Sequence, residues 1–298
     1  MPKIESKSRF DNTYLPYILI APSLLLMCLV IIYPLLRGVY MSFTDYNILH
    51  LDSANFIGLE NYKKLVLDKD FWEVIAFTFI YVFGTVILSY IIGLIIALIL
   101  NRDFKGRNIF RAVLLLPWII AWVVAANSWL WILDYQTGFI NNFLSLLGMP
   151  SINFFGSSLM AKITVILING WKSFPFMMLV ILAGLQNIPK ELYESAYMDG
   201  ANKIKSFIYI TFPGIKQVTV LSTILMTIWV FNGFESIYLV TQGGPVRATY
   251  TISILTYRTA FYTNKLGFAS AVATSLMAFM VIFSMIYTKI TNSEGEEL

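Results

Sequence analysis

The sequence predicts an all-α integral membrane protein that crosses the bilayer six times. Three observations carry this prediction. Charged residues make up 13% of the 298-residue chain, against roughly 25% in an ordinary soluble domain. That leaves too little polar side chain to cover a water-facing surface. Six stretches supply the ~20 apolar residues that a helix needs to cross a ~30 Å hydrocarbon core. Backbone groups in lipid must be satisfied within their own segment, so these stretches are helices. They are expected over 15–43, 72–100, 109–133, 161–185, 218–241 and 266–290, together forming one transmembrane domain over 15–290.

The first span follows Lys3, Lys7 and Arg9. It is too long for a signal-peptide core and ends without an A-x-A-like site, so an uncleaved anchor is expected. Its cysteine, Cys28, is the only one in the chain and reads as a small apolar packing residue. The second span sets Gly93 and Ala97 on one face, a small-x-x-x-small pattern suited to close helix packing, with a second subunit as one candidate for the opposing helix. The third holds Trp118, Trp122, Trp129 and Trp131, which read chiefly as interface anchors and packing residues. The fourth is the least apolar because it contains Asn169 and Lys172, and the fifth contains Glu235. Prolines 22, 34, 117 and 175 lie inside spans and predict kinks.

Lysine and arginine placement sets the expected orientation. With both termini cytoplasmic, the inner segments are 1–14, 101–108, 186–217 and 291–298, carrying Lys3, Lys7, Arg9, Arg102, Lys105, Arg107, Lys190, Lys203, Lys205 and Lys216. The outer side receives Lys63, Lys64, Lys69, Arg247, Arg258 and Lys265, with Arg37 near the border, so the bias favours both termini inside although the outer side also carries positives. The net charge of +4 is too small to point to nucleic acid as a partner.

One inner connection differs from the rest. Over 186–216, Pro189 followed by Glu191 and Glu194 marks a helix start. Leu192, Ala196 and Tyr197 share a helical face, and Gly200 is placed to stop or turn the helix. Ile204, Phe207, Ile208 and Phe212 predict a second amphipathic helix before Pro213. Two short helices at the cytoplasmic surface fit this pattern, as would a simple interfacial loop.

The residues themselves go further. Glu194-Ser195-Ala196, Asp199-Gly200-Ala201 and Ile210-Thr211-Phe212-Pro213 resemble the EAA motif of binding-protein-dependent ABC importer permeases. Ser195 and Phe212 replace an alanine and a leucine of that pattern and leave its spacing intact. Phe56-Ile57-Gly58-Leu59-Glu60-Asn61-Tyr62, Leu116-Pro117-Trp118, Gly184-Leu185-Gln186, Thr241-Gln242-Gly243-Gly244-Pro245 and Gly267-Phe268-Ala269-Ser270-Ala271 are similar to signatures of the maltose and glycerol-3-phosphate class, in the subset without a large extra outer domain.

The resemblance implies a type I ABC importer permease fold, six helices with a cytoplasmic coupling helix between the fourth and fifth. It implies that Glu191, Leu192, Glu194, Ser195, Ala196, Asp199, Gly200 and Ala201 contact an ATPase. The implied partners are a second, homologous permease chain, an ATP-binding subunit dimer, an extracytoplasmic sugar-binding protein and membrane lipid. The chain has no G-x-x-x-x-G-K-[ST] loop, so it is expected not to be an enzyme and to bind no cofactor. ATP and Mg belong to the partner ATPase. The implied location is the cytoplasmic membrane of a bacterium or archaeon.

Ionisable residues inside a span are functional candidates, here Lys172 and Glu235 at similar expected depth. They are expected to pair or to line one cavity, a structural ion pair or an outward-snorkelling lysine being the alternatives. Asn169, Trp171, Ser173, Phe176, Trp229 and Asn232 surround that position. Flat aromatic rings with amide and hydroxyl groups suit the apolar faces and hydroxyl edges of a sugar. The resemblance places sugar contacts at Trp171, Lys172, Ser173, Phe176, Asn232 and Gly233, with Lys172 and Gly233 differing from the maltose pattern. A permease for another solute, such as a polyol phosphate, would keep the cytoplasmic loop but lack the outer signatures. A secondary transporter would show internal repeats, and a membrane enzyme would need a catalytic set that one histidine, His50, does not supply.

Overall fold

The computed structural model describes residues 15–49 and 54–295. The expected inner segment 1–14 with Lys3, Lys7 and Arg9, the outer His50, and residues 296–298 of the expected tail lie outside the described residues. Apart from one isolated bridge between Thr44 and Phe56, regular structure among the described residues is helical. In chain order the helices are α1 (Leu15–Met27), α2 (Tyr33–Met41), α3 (Glu60–Leu67), α4 (Lys69–Leu100), α5 (Arg107–Ile119), α6 (Trp122–Ile132), α7 (Phe139–Leu146), α8 (Ser158–Gln186), α9 (Lys190–Met198), α10 (Lys203–Ser206), α11 (Phe212–Gly214), α12 (Lys216–Asn232), α13 (Glu235–Val240), α14 (Ile252–Phe261) and α15 (Leu266–Gly295). Four stretches are long and apolar enough to cross a membrane, and two bent pairs bring the number to six.

The pair α4 and α8 forms the core. Contacts between Phe77 and Lys162, Tyr81 and Asn169, and Ser89 and Gly170 rise together along both helices, so the two run side by side in the same sense. Small residues bring them close. A Cβ at Gly93 would stand 2.8 Å from Met177 Cβ, and one at Gly170 would stand 2.5 Å from Leu88 Cδ2. The Gly93–Ala97 face therefore packs within the chain, against α8, and not against another subunit. Tyr81, Val82, Met177, Met178, Ile181 and Leu182 fill the seam and are fully enclosed.

Prolines shape the helices in different ways. A π-helical turn, Cys28–Ile32, precedes Pro34, and a second, Phe207–Thr211, precedes Pro213. The wider turn makes room for a ring that would otherwise meet the carbonyl four residues back. Helix α8 runs unbroken through Pro175. The expected third span, 109–133, differs most: it is two helices, α5 and α6, which meet at 96°, with the break at Ile120 and Ala121, beyond Pro117. The expected fifth span, 218–241, is also divided, into α12 and α13, at Gly233 and Phe234.

At the end of the bundle away from α9, the loop between α2 and α3 is clasped to the start of α15. Asn61, in the F-I-G-L-E-N-Y run, is buried and donates to the Ser42 and Thr44 carbonyls at 2.9 and 2.8 Å. Gly267 lies so close to Thr44 O that a Cβ would stand 2.1 Å from it. Asn55 donates to Asp45 and holds that carboxyl below its ordinary value. The T-Q-G-G-P run is a turn between α13 and α14, closed by Thr241 and Thr249 hydroxyls 2.7 Å apart.

Gly93→Val should lower the melting temperature of the detergent-solubilised chain, because overpacking a closed seam costs about 1–3 kcal/mol. Gly38→Val, with nothing within 4 Å of its added Cβ, should leave it unchanged. Equal melting temperatures for the two variants would contradict the described α4–α8 contact.

Candidate functional site

The break in the third span is held by one side chain. After α5 ends, Ile120 and Ala121 are extended, with ψ of 134° and 144°, and α6 departs. A helix C-terminus presents unpaired carbonyls and the negative end of the helix dipole, both of which favour a cation. Lys172, projecting from α8, supplies it. Its Nζ donates to Pro117 O at 2.9 Å, to Trp118 O at 3.4 Å and to Ile120 O. The Trp122 ring centroid lies 5.2 Å from the same nitrogen, at cation–π range. Lys172 is 6% exposed, so an uncompensated charge there would be costly. The orphan carbonyls and the buried ammonium satisfy one another.

This arrangement opens a cavity of about 700 Å³ among α5, α6, α8, α12 and α13. Seven of the residues expected on a solute path line it: Asn169, Lys172, Ser173, Trp229, Asn232, Gly233 and Glu235. Trp171 and Phe176 do not. The Trp171 ring instead meets Trp129 of α6 at 5.3 Å. Phe176 stands behind the wall, between the rings of Trp118 at 6.2 Å and Trp229 at 4.8 Å. Trp118 and Trp122, read from sequence as anchors or packing residues, are lining residues, as are Ile120 and Ala121. Pro117 in an apolar run opposite a lysine of equal depth was the one signal that could have found them.

Lys172 and Glu235 share the cavity without pairing: no ion pair joins them among the described residues. Glu235 is exposed in the first turn of α13, just after the Gly233 break. A neutral network underlies the wall. Asn169 Nδ2 donates to the fully buried Tyr81 OH at 2.7 Å, which leaves the tyrosine proton for Ser236 Oγ at 2.7 Å. It ties α4, α8 and α13 together.

The second place is α9. Glu191, Leu192, Glu194, Ser195, Asp199 and Gly200 are exposed, while Ala196 and Ala201 are half-buried. Tyr197 and Met198 are 77% and 84% exposed, and the sequence-derived contact set omitted both. Gly200, at φ +76°, ends α9. The Ala201 amide bonds back to Ala196 O at 2.8 Å and the Gly200 amide to Tyr197 O at 3.0 Å. This double bond-back needs a left-handed residue, which explains the fixed E-S-A-x-x-x-G spacing. The expected second short helix is present: Lys203–Gly214, which includes a π-helical turn, meets α12 at a 61° bend. Tyr193 on α9 reaches Thr211 at 2.9 Å, and since the Thr211 hydroxyl donates to Ser206 O, the tyrosine is the donor.

Residues 89–293 match the family described as binding-protein-dependent transport system inner membrane component. The chain is similar to the trehalose/maltose transport system permease protein MalF of Thermococcus litoralis, 35% identical over 289 residues that cover 96% of this chain and 97% of the relative. It is equally similar to the sulfoquinovosyl glycerol transport system permease protein SmoG of Agrobacterium fabrum, 35% identical with 94% and 91% of the two chains covered. In fold it resembles a chain of a bacterial ABC transporter that imports the acidic polysaccharide alginate, with a TM-score of 0.83, 23% identity and 95% and 96% coverage.

Lys172→Met should destabilise the detergent-solubilised chain by roughly 1–3 kcal/mol, the cost of leaving buried acceptors unmet. It should also shift tryptophan emission as Trp118 and Trp122 move. Lys172→Arg, which keeps the charge and donors, should lose less. A Met variant as stable as the parent would remove the cap assigned to this lysine.

Proposed function

The chain belongs to the family of binding-protein-dependent transport system inner membrane components, and we propose that it is the permease subunit through which an ABC importer moves a sugar or oligosaccharide across the cytoplasmic membrane. The observation that carries this reading is continuity. Helices α8 and α12, which line the cavity, are joined to each other through the exposed α9. A body that pushes on α9 therefore moves two walls of the cavity. A cavity of aromatic rings, amides and hydroxyls has the chemistry for polyhydroxylated cargo.

In this reading α9 faces the cytoplasm and docks on a separate ATPase dimer, which supplies ATP and Mg chemistry. Leu192, Tyr197 and Met198 give the dock an apolar surface, and Glu191, Glu194 and Asp199 give it charge. An extracytoplasmic binding protein delivers the sugar at the opposite end, and a second permease, a different homologous chain, completes the path. Both termini are cytoplasmic. Closure of the ATPase dimer shifts α9, and the Tyr193–Thr211 bond passes the shift to the segment that bends into α12. This is a rigid element biased between two positions, a recognised mode of switching.

Uptake of a labelled sugar panel should appear in cells that carry the chain and disappear on its deletion; a panel without any difference would refute the sugar assignment. Co-purification of an ATP-binding subunit should be lost on removing 191–201. Glu194→Lys or Gly200→Val should abolish uptake with the amount of protein in the membrane unchanged, and normal uptake with either would remove the coupling role.

Tyr193→Phe and Thr211→Val should each lower the sugar moved per ATP hydrolysed, with the ATPase still bound. The double variant should be no worse than either single one. Additive losses would show that the two side chains act independently.

A further inference from the structure

The charges around the cavity narrow the cargo beyond the word sugar. Two ionisable side chains line it, Lys172 and Glu235. They are not equivalent. The ammonium of Lys172 has three protons, and it donates to three backbone carbonyls of the broken span. It is 6% exposed and backed by the Trp122 ring. No donor remains to meet a carboxylate or sulfonate in the cavity, and turning one inward would unpair a carbonyl at the break. Glu235 is the opposite case: exposed, with neither an ion-pair partner nor a hydrogen bond to another side chain among the described residues. The other polar lining groups, Asn169, Ser173, Asn232 and Ser236, are neutral.

We propose that the cavity selects an uncharged sugar and rejects its acidic counterparts, with Glu235 as the residue that sets this preference. The proposal rests on the reading of this cavity as a sugar path. A carboxylate acts only as an acceptor, so Glu235 offers two oxygens to the hydroxyls of a neutral sugar. The same oxygens repel an anionic group brought beside α13, while the opposing Lys172 charge is turned onto the three α5-end carbonyls it caps. The neutral amides and hydroxyls that share the lining add polar contacts for a polyol without demanding charge.

The binding protein applies its own selection, so the test reads the cavity without it. The purified complex of both permeases and the ATPase, in detergent, is titrated with neutral disaccharides (maltose, trehalose, cellobiose) and with their uronic acid counterparts, following quenching of tryptophan emission. Phe replacements at Trp118, Trp122 and Trp229 in turn identify the signal of the cavity. At least one neutral sugar should bind tenfold or more tightly than its uronate. Glu235→Gln should bring that ratio to within about twofold, mainly by strengthening uronate binding, while leaving the melting temperature unchanged. A uronate that binds the parent complex as well as the neutral sugar, or a ratio untouched by Glu235→Gln, overturns the proposal and leaves the sugar reading standing. Absence of quenching by every sugar, neutral and acidic, overturns both.

Discussion

The architecture around the cavity depends on a single exchange between a lysine and a broken helix. Interrupting a helix at membrane depth exposes carbonyls that lipid cannot satisfy, and placing an ammonium there exposes a charge that lipid cannot solvate. Each alone is prohibitive. Together, with Pro117 O, Trp118 O and Ile120 O around Lys172 Nζ, each cancels most of the other's cost. The bend that results turns α6 away and opens the space that a straight span would fill with its own side chains. It also sets Trp118 and Trp122 on the wall. Lys172 is thereby a positioning residue for the cavity as much as a lining one.

The sequence made some of this legible and concealed the rest for identifiable reasons. Composition and apolar length report how often a chain crosses, because the hydrocarbon core is a fixed thickness. They carry no information on direction within a span, so 109–133 reads as one helix although it turns through 96°. An ionisable residue in an apolar run stands out, which is how Lys172 and Glu235 were found. The partners of Lys172 are not visible in the sequence, because they are backbone carbonyls, which every residue has. Trp171 was misplaced for a simpler reason. It precedes Lys172 by one position, and adjacent residues on a helix point about 100° apart. Gly200 was read correctly since its task, a left-handed stop, is local.

The two regions of interest are one mechanical piece. Helix α8 carries Lys172 and continues to Gln186; α9 follows; and the chain returns through Lys203–Gly214 into α12, which ends at Asn232 on the cavity wall. Displacement of α9 has two routes to the cavity. One is the covalent path into α8. The other is the Tyr193–Thr211 contact, which enters the returning helical segment at the last residue of its π-helical turn. The tight seam of α4 on α8, with Gly93 and Gly170 admitting close backbone approach, ties the Lys172 side of the cavity to the core of the chain. The Asn169–Tyr81–Ser236 network marks where that core and the cavity wall meet.

The lysine cap also bears on how the chain is made. The third span is synthesised before the fourth, and Lys172 lies 55 residues beyond Pro117. When α5 first enters the bilayer, its terminal carbonyls have no ammonium to meet, and when α8 follows, its lysine cannot be left in lipid. Neither span reaches its final form alone. The cap thus makes the final form of the third span depend on the fourth, which follows it in the chain.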